Sequence, residues 1–370
     1  MGRVKTLEEL QETCRGLGIE VATSGRASKE PYIAALREYH WRKDHPDEPL
    51  PPQIQPMLLG SWEDLDEAEA GEIEADGSGW LVQQKIDGVR ALLHVERDGV
   101  RVTSRTVSEV SFRLSEFQDN LTHLARGFEA LVGTILDGEL VSPVAVIDTG
   151  ATYTENALQA TMAVLATSPA NAQKIQADQN ARLIFHAFDI LKLQDVDTAQ
   201  QELPARLDLL HKAVHDAQNP YVLEMPSYVI GKARIHQSLI GEGAEGTVWK
   251  QLSGKYRPGE RVRHWIKRKR GISMTAFVSN FKPGTPDRGN RDLVGAVEFS
   301  CHHADGSVSP IGWISSWSDE ERRAMTARNA AGRICLNPDY LRRKAIIVGQ
   351  DLSARSRRLR HARLVCWLDS

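Results

Sequence analysis

The 370-residue sequence has no apolar run close to the roughly 20 residues that a membrane-spanning helix needs. Its four cysteines, Cys14, Cys301, Cys335 and Cys366, lie far apart and form no C-x-x-C pair. This spacing excludes a zinc-finger pattern and a disulfide framework, and it is typical of a reducing cytosol. The charged start, MGRVKT, does not resemble a signal peptide, so we expect a cytoplasmic protein with no membrane partner.

The chain also lacks a strong net charge, internal repeats and low-complexity tracts. Its net charge of -3 does not exclude nucleic acid, because basic residues are clustered in segments 255–270 and 354–363, whereas segment 63–76 is acidic. Apolar residues make up 41% and charged residues 26%, as in globular proteins. The length is sufficient for two or three domains.

Two short helices are predicted near the start of the chain, over residues 5–17 and 29–40. Each places its apolar residues on one face; they are Leu7, Leu10, Cys14 and Leu17 in the first helix and Ile33 and Leu36 in the second. The turn between the helices carries Arg26 and Lys29. Together they resemble a SAP-type DNA-binding module over residues 1–45, and the alternative is a helical hairpin packed on the main domain. Five prolines between Pro46 and Pro56 then predict an extended linker over residues 46–56.

Residues 57–270 are predicted to form an α+β domain with antiparallel sheets. The β-rich runs after Gly79 alternate with turns and are WLVQQKI, RALLHVERDGVRVTS, TILDGELVSP, RLIFHAFDIL, GTVWKQL and HWIKRKR. Helices are predicted over residues 111–131, 155–166 and 204–217.

Residues 271–370 have a different pattern, with five predicted strands and one helix. The strands are ISMTAFVSNF, LVGAVEFSCHH, VSPIGWIS, KAIIVGQ and ARLVCWLD. The helix is predicted from Ser318 to about Arg328, because Ser318 and Glu321 have the spacing of a capping box. Five strands and a helix in about 100 residues are typical of a small Greek-key barrel of the OB type.

The most distinctive segment is Lys85-Ile86-Asp87-Gly88-Val89-Arg90, which directly follows an apolar strand. Alone, it would predict only a β-turn with a solvated lysine. Five further segments follow it in order: Ser104-Arg105, Asp137-Gly138-Glu139, Phe188-Asp189, Glu245-Gly246-Thr247-Val248-Trp249-Lys250 and Trp265-Ile266-Lys267-Arg268-Lys269. These six segments resemble motifs I, Ia, III, IIIa, IV and V of the covalent nucleotidyltransferases, which include DNA ligases, RNA ligases and mRNA capping enzymes. The resemblance extends over about residues 79–369.

Chemistry explains why these residue types occur together. A lysine with its usual pKa of about 10.4 is a poor nucleophile unless it is desolvated or surrounded by positive charge. Lys267 and Lys269 alternate on one strand face, so they could supply that charge and hold a triphosphate. The resemblance implies that Lys85 carries AMP, and that Glu139 and Glu245 bind Mg²⁺, for which Mn²⁺ could substitute.

The resemblance also implies a nucleotide site built from aromatic and polar residues. Phe188 would stack on adenine, and Gln83 would meet the adenine edge, where many relatives have glutamate. Arg90, Arg105 and Arg261 would contact the nucleotide or the nick phosphate, because the planar guanidinium can hold two phosphate oxygens. For each of these residues the alternative is an ordinary core or surface position.

The C-terminal segment Arg360-His361-Ala362-Arg363-Leu364-Val365 resembles the opening of a ligase motif VI. Relatives commonly end this motif with an arginine and then an Asp-Lys pair, whereas this chain ends with Asp369 and Ser370. From this partial match, Arg360 and Arg363 are predicted to act in the closure of the C-terminal domain over the nucleotide or in DNA binding.

Taken together, the motifs predict an ATP-dependent DNA ligase that seals nicks in duplex DNA. The reaction would pass through Lys85-AMP, transfer of AMP to a 5′-phosphate and attack by a 3′-hydroxyl. We expect ATP and Mg²⁺ as cofactors, nicked double-stranded DNA as partner, and a monomer in the cytoplasm of a bacterial or virus-infected cell. An NAD-dependent ligase is disfavoured, because zinc-binding cysteines are missing from the sequence. An RNA ligase, a capping guanylyltransferase and a non-catalytic DNA-binding relative are the alternatives.

Overall fold

The computed structural model describes residues 5–22, 28–285, 292–303, 305–349, 358–359 and 362–368. Eight α-helices lie in these ranges: α1 Leu7–Gly16, α2 Glu30–Asp44, α3 Glu67–Glu74, α4 Ala157–Leu165, α5 Pro169–Asp178, α6 Leu203–Ala217, α7 Lys232–Gly241 and α8 Asp319–Met325. Among the described residues, no helix combines the length and the apolar character needed to cross a bilayer.

The same ranges contain eighteen β-strands. They are β1 Leu58–Ser61, β2 Trp80–Lys85, β3 Val89–Glu96, β4 Gly99–Val107, β5 Leu114–Glu116, β6 Ile135–Val141, β7 Ile184–Leu193, β8 Val196–Asp197, β9 Val222–Glu224, β10 Gly246–Gln251, β11 Arg261–Lys269, β12 Ile272–Pro283, β13 Val294–His302, β14 Val308–Ile314, β15 Thr326–Arg328, β16 Ile334–Leu336, β17 Lys344–Gly349 and β18 Arg363–Trp367.

The chain divides into two compact units. Unit 1 consists of Met1–Ser238 and Thr247–Arg268, and unit 2 consists of Leu239–Gly246 and Lys269–Ser370. The division between Arg268 and Lys269 falls two residues before residue 270, the predicted end of the α+β domain.

A seven-stranded sheet forms the centre of unit 1. Its order is β5-β4-β3-β6-β7-β8, and β9 pairs with β7. The ladders are antiparallel, as predicted, except for the parallel β7–β9 pair. Strand β3 is buried on both faces. Because side chains alternate, Ala91, Leu93 and Val95 join the large core cluster that also contains buried residues of α4, α5 and α6, whereas Leu92 joins a cluster on the opposite face.

A four-stranded sheet, of order β1-β11-β10-β2, completes the sheets of unit 1. Strand β1 runs parallel to β11, with an irregular register between Leu59 and Gly60. Trp265 of β11 and the nearby Tyr256 share a buried cluster with Leu92 of β3. Trp249 of β10 belongs to a different cluster, together with Ile266 of β11. Side-chain alternation along β11 therefore faces Trp265 towards the seven-stranded sheet and Ile266 away from it.

The two N-terminal helices pack on the seven-stranded sheet domain. Leu10, Cys14 and Leu36 form one buried cluster with Phe112, which lies just before β5. This packing agrees with the alternative of a hairpin packed on the main domain, and the resemblance to a SAP-type module stays a prediction. The predicted linker also makes fixed contacts, because Gln55 accepts a hydrogen bond from Gly259 and Ile54 packs against the Trp265 cluster.

The predicted helix over residues 111–131 is wrong. Leu114 to Glu116 form strand β5, and two short 3₁₀ turns follow at Gln118–Asn120 and Thr122–Ala125. Gly127 then has a φ of 86°, which a right-handed helix does not contain. The apolar residues of this segment enter the large core from a series of turns. Their spacing along the sequence nevertheless resembles that of a helix. The helices α3, α5 and α7 were not predicted.

Unit 2 contains the five predicted strands in an antiparallel sheet of order β14-β13-β12-β17-β18. Leu359, which precedes β18, donates its backbone N–H to the carbonyl of Ile311 on β14 at 2.6 Å. The two ends of the sheet are therefore brought together by the segment before β18. The Ser318–Glu321 capping box is present, but α8 ends at Met325, three residues earlier than predicted, because Thr326–Arg328 pairs with β16.

Candidate active site

Strand β2 ends at Lys85, and the turn that follows it carries Asp87 and Gly88 and packs closely on β6. A Cβ on Gly88 would clash with the Leu140 carbonyl and would lie 3.0 Å from Cγ of Glu139. Only glycine allows this approach without displacing the backbone of β6. Lys85 and Asp87 are half-buried beside it. The first and third predicted motifs are therefore adjacent in space.

The strand register extends this contact along β3. Arg90 of β3 pairs with Glu139 of β6, and Ala91 pairs with Gly138. A Cβ on Gly138 would lie 2.5 Å from the ring of Phe185 on β7, so glycine is needed here too. In the D-G-E segment, alternation places Asp137 and Glu139 on the face that carries Arg90.

Asp137 is fully buried and forms a bidentate ion pair with Arg90. The guanidinium of Arg90 donates at 3.0 and 2.6 Å, and the hydroxyl of Tyr256 donates to the same carboxylate at 2.6 Å. Burial by itself would lower the pKa of Arg90, but the Asp137 charge outweighs it and raises that pKa. The guanidinium is thus held in the core, whereas the resemblance implied that it contacts the nucleotide or nick phosphate.

Phe188 lies at a register shift in β7, between Ala187, which pairs with Gly138, and Asp189, which pairs with Asp137. Its side chain is half-buried. The Trp265 ring meets it edge-on at 6.1 Å, and the Arg90 guanidinium lies 5.2 Å from its centroid. Its neighbour Asp189 is fixed from behind by a buried bidentate pair with Arg206, at 2.7 and 2.8 Å. Phe188 is therefore a partly open aromatic surface on a rigid support.

Lys250 is a buried residue that the sequence reasoning did not single out. Its ammonium donates to the Phe188 carbonyl at 2.9 Å and lies 3.8 Å from the centroid of Trp265. Burial lowers its pKa to about 7, although nearby Asp189 and Asp137 oppose that change. The signal available in the sequence was its position as the last residue of the E-G-T-V-W-K segment.

Gln83 lies on β2 two residues before Lys85, so alternation places both side chains on one face. It is 2% exposed, and its amide nitrogen donates to the Ser227 hydroxyl at 2.8 Å. The carbonyl oxygen of the side chain can still accept a hydrogen bond.

The basic residues of β11 alternate between two environments. Lys267 and Lys269 are half-buried, and Lys269 forms an ion pair with Glu245 at 3.2 Å within unit 2. Arg268, between them, instead forms an ion pair with Glu74 and lies over the ring of Trp62 at 4.3 Å. The predicted shared face of Lys267 and Lys269 agrees with this alternation.

Other predicted residues are dispersed on the surface. Arg105 of β4 and Arg363 of β18 are exposed, and so is Arg261, which donates to the Leu59 carbonyl. Strand rise separates Arg261 from Lys267 by roughly 20 Å along β11. Lys29 donates to the Lys5 carbonyl at 2.8 Å. The predicted residues Arg26 and Arg360 lie outside the described residues.

The donor set suits a hard cation only in part. Among the described residues, no group of three or more His, Cys, Asp or Glu side chains could hold a metal ion. Mg²⁺, however, typically uses one or two carboxylates and takes its remaining oxygens from water and phosphate. The two carboxylates predicted for this role are Glu139, whose Cγ lies beside the Gly88 turn, and Glu245 of unit 2.

Comparison with known proteins identifies the family of this chain. Residues 56–269, more than half of the chain, match the family described as the ATP dependent DNA ligase domain. The chain therefore belongs to that family.

Individual relatives are distant. A DNA ligase of Methanothrix thermoacetophila is 26% identical over 245 residues, which are 66% of this chain and 42% of that protein. DNA ligase C1 of Mycolicibacterium smegmatis is 25% identical over 282 residues, which are 76% of this chain and 74% of that protein. This chain thus spans less than half the length of the first relative.

Solved structures share the fold. The structure called Pmar-Lig_PreS3 has a TM-score of 0.60 and 19% identity, over 93% of this chain and 72% of that one. At this identity the similarity concerns the fold.

Proposed function

We propose that the chain is an ATP-dependent DNA ligase that seals nicks in duplex DNA through a Lys85-AMP intermediate. The observation that carries the proposal is the contact between the Lys85–Gly88 turn and the D-G-E segment of β6. Membership of the ligase family and the position of Phe188 on the neighbouring strand support it.

In the first step, the Lys85 amine loses its proton and attacks the α-phosphorus of ATP. A phosphorus–nitrogen bond forms, the bond to the bridging oxygen breaks, and pyrophosphate leaves. Lys267 and Lys269 lie on one face of β11 and supply positive charge that favours the neutral amine and the departing anion. Glu139 and Glu245 would hold Mg²⁺, which supplies further charge stabilisation at the phosphates when bound.

The adenine would be held by two residues whose positions are fixed by neighbouring side chains. Phe188 offers a half-buried ring whose strand is anchored by the Asp189–Arg206 pair. Gln83 is oriented by Ser227 and keeps an acceptor for the exocyclic amine of adenine. Recognition of that amine favours ATP over GTP, because guanine presents a carbonyl at the same position.

The later steps require contacts with DNA. AMP moves from Lys85 to the 5′-phosphate of the nick, and the 3′-hydroxyl then attacks that phosphate and releases AMP. Arg105 and Arg261 are exposed arginines of unit 1 that suit phosphate contacts.

Unit 2 is proposed to be an OB-type barrel. Its sheet order, β14-β13-β12-β17-β18, and the hydrogen bond that joins Leu359 to Ile311 support a closed five-stranded barrel. Arg363 begins its last strand and remains exposed. Within the part of the chain that is described, Arg363 represents the predicted motif VI.

A sealing assay tests this function. The full chain is incubated with Mg²⁺ and a DNA duplex that carries one nick with a 5′-phosphate, and ATP, GTP or NAD⁺ is added separately. Sealing is expected with ATP alone and should disappear in Lys85→Ala. The matched control is Lys192→Ala, a change on β7 of a lysine that has no proposed role in the reaction.

The same assay separates the alternatives. Sealing of a nicked RNA duplex in preference to DNA would indicate an RNA ligase, and covalent labelling by GTP would indicate a capping guanylyltransferase. Binding of nicked DNA without reaction under any nucleotide would contradict the proposal and indicate a non-catalytic relative.

A further inference from the structure

Arg105 lies in an irregular part of β4. The β4–β5 ladder pairs Thr103 with Glu116 and Val107 with Leu114, and the register shifts between these two pairs. Ser104 bridges the irregular segment, because its hydroxyl donates to the Thr106 carbonyl at 2.8 Å and accepts from the Ser115 N–H at 3.0 Å. Because the ladder is irregular around Arg105, the direction of the Arg105 side chain depends on the contacts of the turn that follows β4.

That turn, residues 108–113, packs against the N-terminal hairpin. The Phe112 ring is 8% exposed and packs with Leu10, Cys14 and Leu36 of helices α1 and α2. The guanidinium of Arg37 on α2 donates to the Phe112 carbonyl at 2.9 Å. Both the ring and the backbone of Phe112 are therefore fixed by the hairpin.

Neighbouring contacts hold the chain on the other side of Phe112. The Arg113 guanidinium lies 4.3 Å from the ring centroid of Trp41 on α2. The Leu114 N–H donates to the Gln53 side chain, in the segment after the hairpin, at 2.9 Å. Three consecutive residues thus contact the N-terminal segment.

The backbone of Phe112 has a conformation that surrounding contacts must stabilise. Its φ is 57°, in the left-handed region that bulky residues rarely adopt. Such a conformation persists only where surrounding contacts over-determine it. The turn has two hydrogen bonds of its own, from the Ser108 N–H to the Arg113 carbonyl at 2.8 Å and from the Phe112 N–H to the Ser108 carbonyl at 3.0 Å. The packing of the Phe112 ring, by contrast, depends on the hairpin.

We propose that the N-terminal helical hairpin acts as a brace that positions Arg105 for the DNA backbone, with Phe112 as the positioning residue. The inference rests on the proposed function, in which Arg105 contacts phosphate. It gives residues 1–45 a role that needs no direct contact between the hairpin and DNA.

A double-mutant cycle in the full chain tests the brace. The binding of a nicked duplex is measured as a function of salt for the parent, Phe112→Ala, Arg105→Ala and the double variant. Arg105→Ala should weaken binding about tenfold and flatten the log–log salt dependence by about one unit. Phe112→Ala removes no charge, yet it should flatten that slope similarly and weaken binding about fivefold.

The double variant gives the decisive comparison. If Phe112 acts through Arg105, the double variant should bind within about twofold of Arg105→Ala alone, whereas independent effects would multiply to about fiftyfold. Phe112→Leu keeps the apolar contact and should restore binding to within about twofold of the parent. Val164→Ala, a change of a buried residue on α4, is the matched control and should leave the salt slope unchanged.

Adenylylation by ATP, measured on the same samples, keeps this inference separate from the proposed function. Phe112→Ala should adenylylate at the parent rate, because the cluster that contains Phe112 includes no residue of the turn after β2. A parent that is never adenylylated would refute the proposed function, whereas multiplying effects or an unchanged salt slope would refute only the brace. If Phe112→Ala does not accumulate folded, Val107→Ala, which trims the same cluster without removing charge, takes its place in the cycle.

Discussion

The interior of the candidate site contains buried charged side chains. Arg90 and Lys250 are 7% and 1% exposed, and each contacts both Phe188 and Trp265. The buried charges of Asp137 and Asp189 are balanced by bidentate arginines. A buried carboxylate of this kind is costly once its partner is removed. The same residues therefore determine both the stability of unit 1 and the surroundings of Phe188.

Arg90→Ala should destabilise the protein by about 3 to 5 kcal/mol, because the buried Asp137 carboxylate loses its bidentate partner and keeps the hydrogen bond from Tyr256. Urea unfolding measures this change, and Arg105→Ala, at an exposed position, should change stability by no more than about 0.5 kcal/mol. Unchanged stability together with lost adenylylation would instead support the direct nucleotide contact that the sequence resemblance implied.

Lys250 gives a pH signature. Its folded pKa of about 7 lies below the usual pKa of an unfolded lysine, so the unfolded chain binds the extra proton between these two values. The free energy of unfolding should therefore rise with pH from about 7 towards 10, by at most about 1.4 kcal/mol per pH unit. In Lys250→Met this increment should be missing. A constant difference in stability between the parent and the variant across that range would show that Lys250 stays charged in the folded state.

At the scale of elements, the site depends on how closely the turn after β2 meets β6. Gly88 is the contact point, and both it and Gly138 are positions where a side chain would strike backbone or ring atoms. The strand β7 then places Phe188 beside the same region. Three adjacent strands, β3, β6 and β7, therefore bring three separate sequence motifs together.

Gly88→Ala should reduce Lys85 adenylylation at least about a hundredfold, because the new methyl group displaces the turn from the Leu140 carbonyl. The unfolding transition should remain cooperative. Gly71→Ala is the matched control: Gly71 lies in helix α3 with no atom within 4 Å of its ideal Cβ, so this change should stabilise slightly and leave the rate unchanged. Equal activity of the two variants would argue against a close contact at Gly88.

The sequence predicted the strands that carry the motifs because apolar alternation and flanking turn residues are local signals. The helix predicted over residues 111–131 was wrong, although the apolar residues there have helix-like spacing. Turns place Leu121, Leu124 and Phe128 in the core instead. The sequence also could not distinguish a separate N-terminal module from a packed hairpin. The apolar faces of α1 and α2 predict a packing partner, but only the structure identifies Phe112 as that partner.

The candidate site was predicted less completely than the strands. The motif residues Lys85, Gln83 and Glu139 could be named from their order and spacing. The burial of Arg90 and Lys250 could not, because an arginine or lysine in a strand looks the same in sequence whether its side chain faces solvent or the opposing sheet. Their environment depends on the long-range packing of Trp265 and Tyr256.

At the scale of the whole molecule, the chain consists of two units, and the lysines of β11 fall on both sides of the division. Lys267 belongs to unit 1, and Lys269 belongs to unit 2 with its partner Glu245. The proposed function assigns roles to residues of both units. A variant in unit 2 should affect particular steps of the reaction rather than all of them.

Arg363→Ala tests this dependence. If Arg363 assists departure of pyrophosphate, as its motif VI resemblance implies, enzyme adenylylation should slow at least tenfold, about 1.4 kcal/mol of transition-state stabilisation. Sealing of a nick that is already adenylylated should stay within about threefold of the parent. Equal losses in both assays would indicate a role in folding or DNA binding, and no loss in either would remove Arg363 from the reaction.

The central claim is that Lys85 carries AMP, and peptide mass spectrometry after incubation with ATP and Mg²⁺ tests it directly. The expected result is one adenylyl group on the peptide that contains Lys85, formed from ATP and not from GTP, lost on acid treatment because the bond is a phosphoramidate, and absent in Lys85→Ala. An adenylyl group on a different lysine, or labelling that persists in Lys85→Ala, would contradict the account.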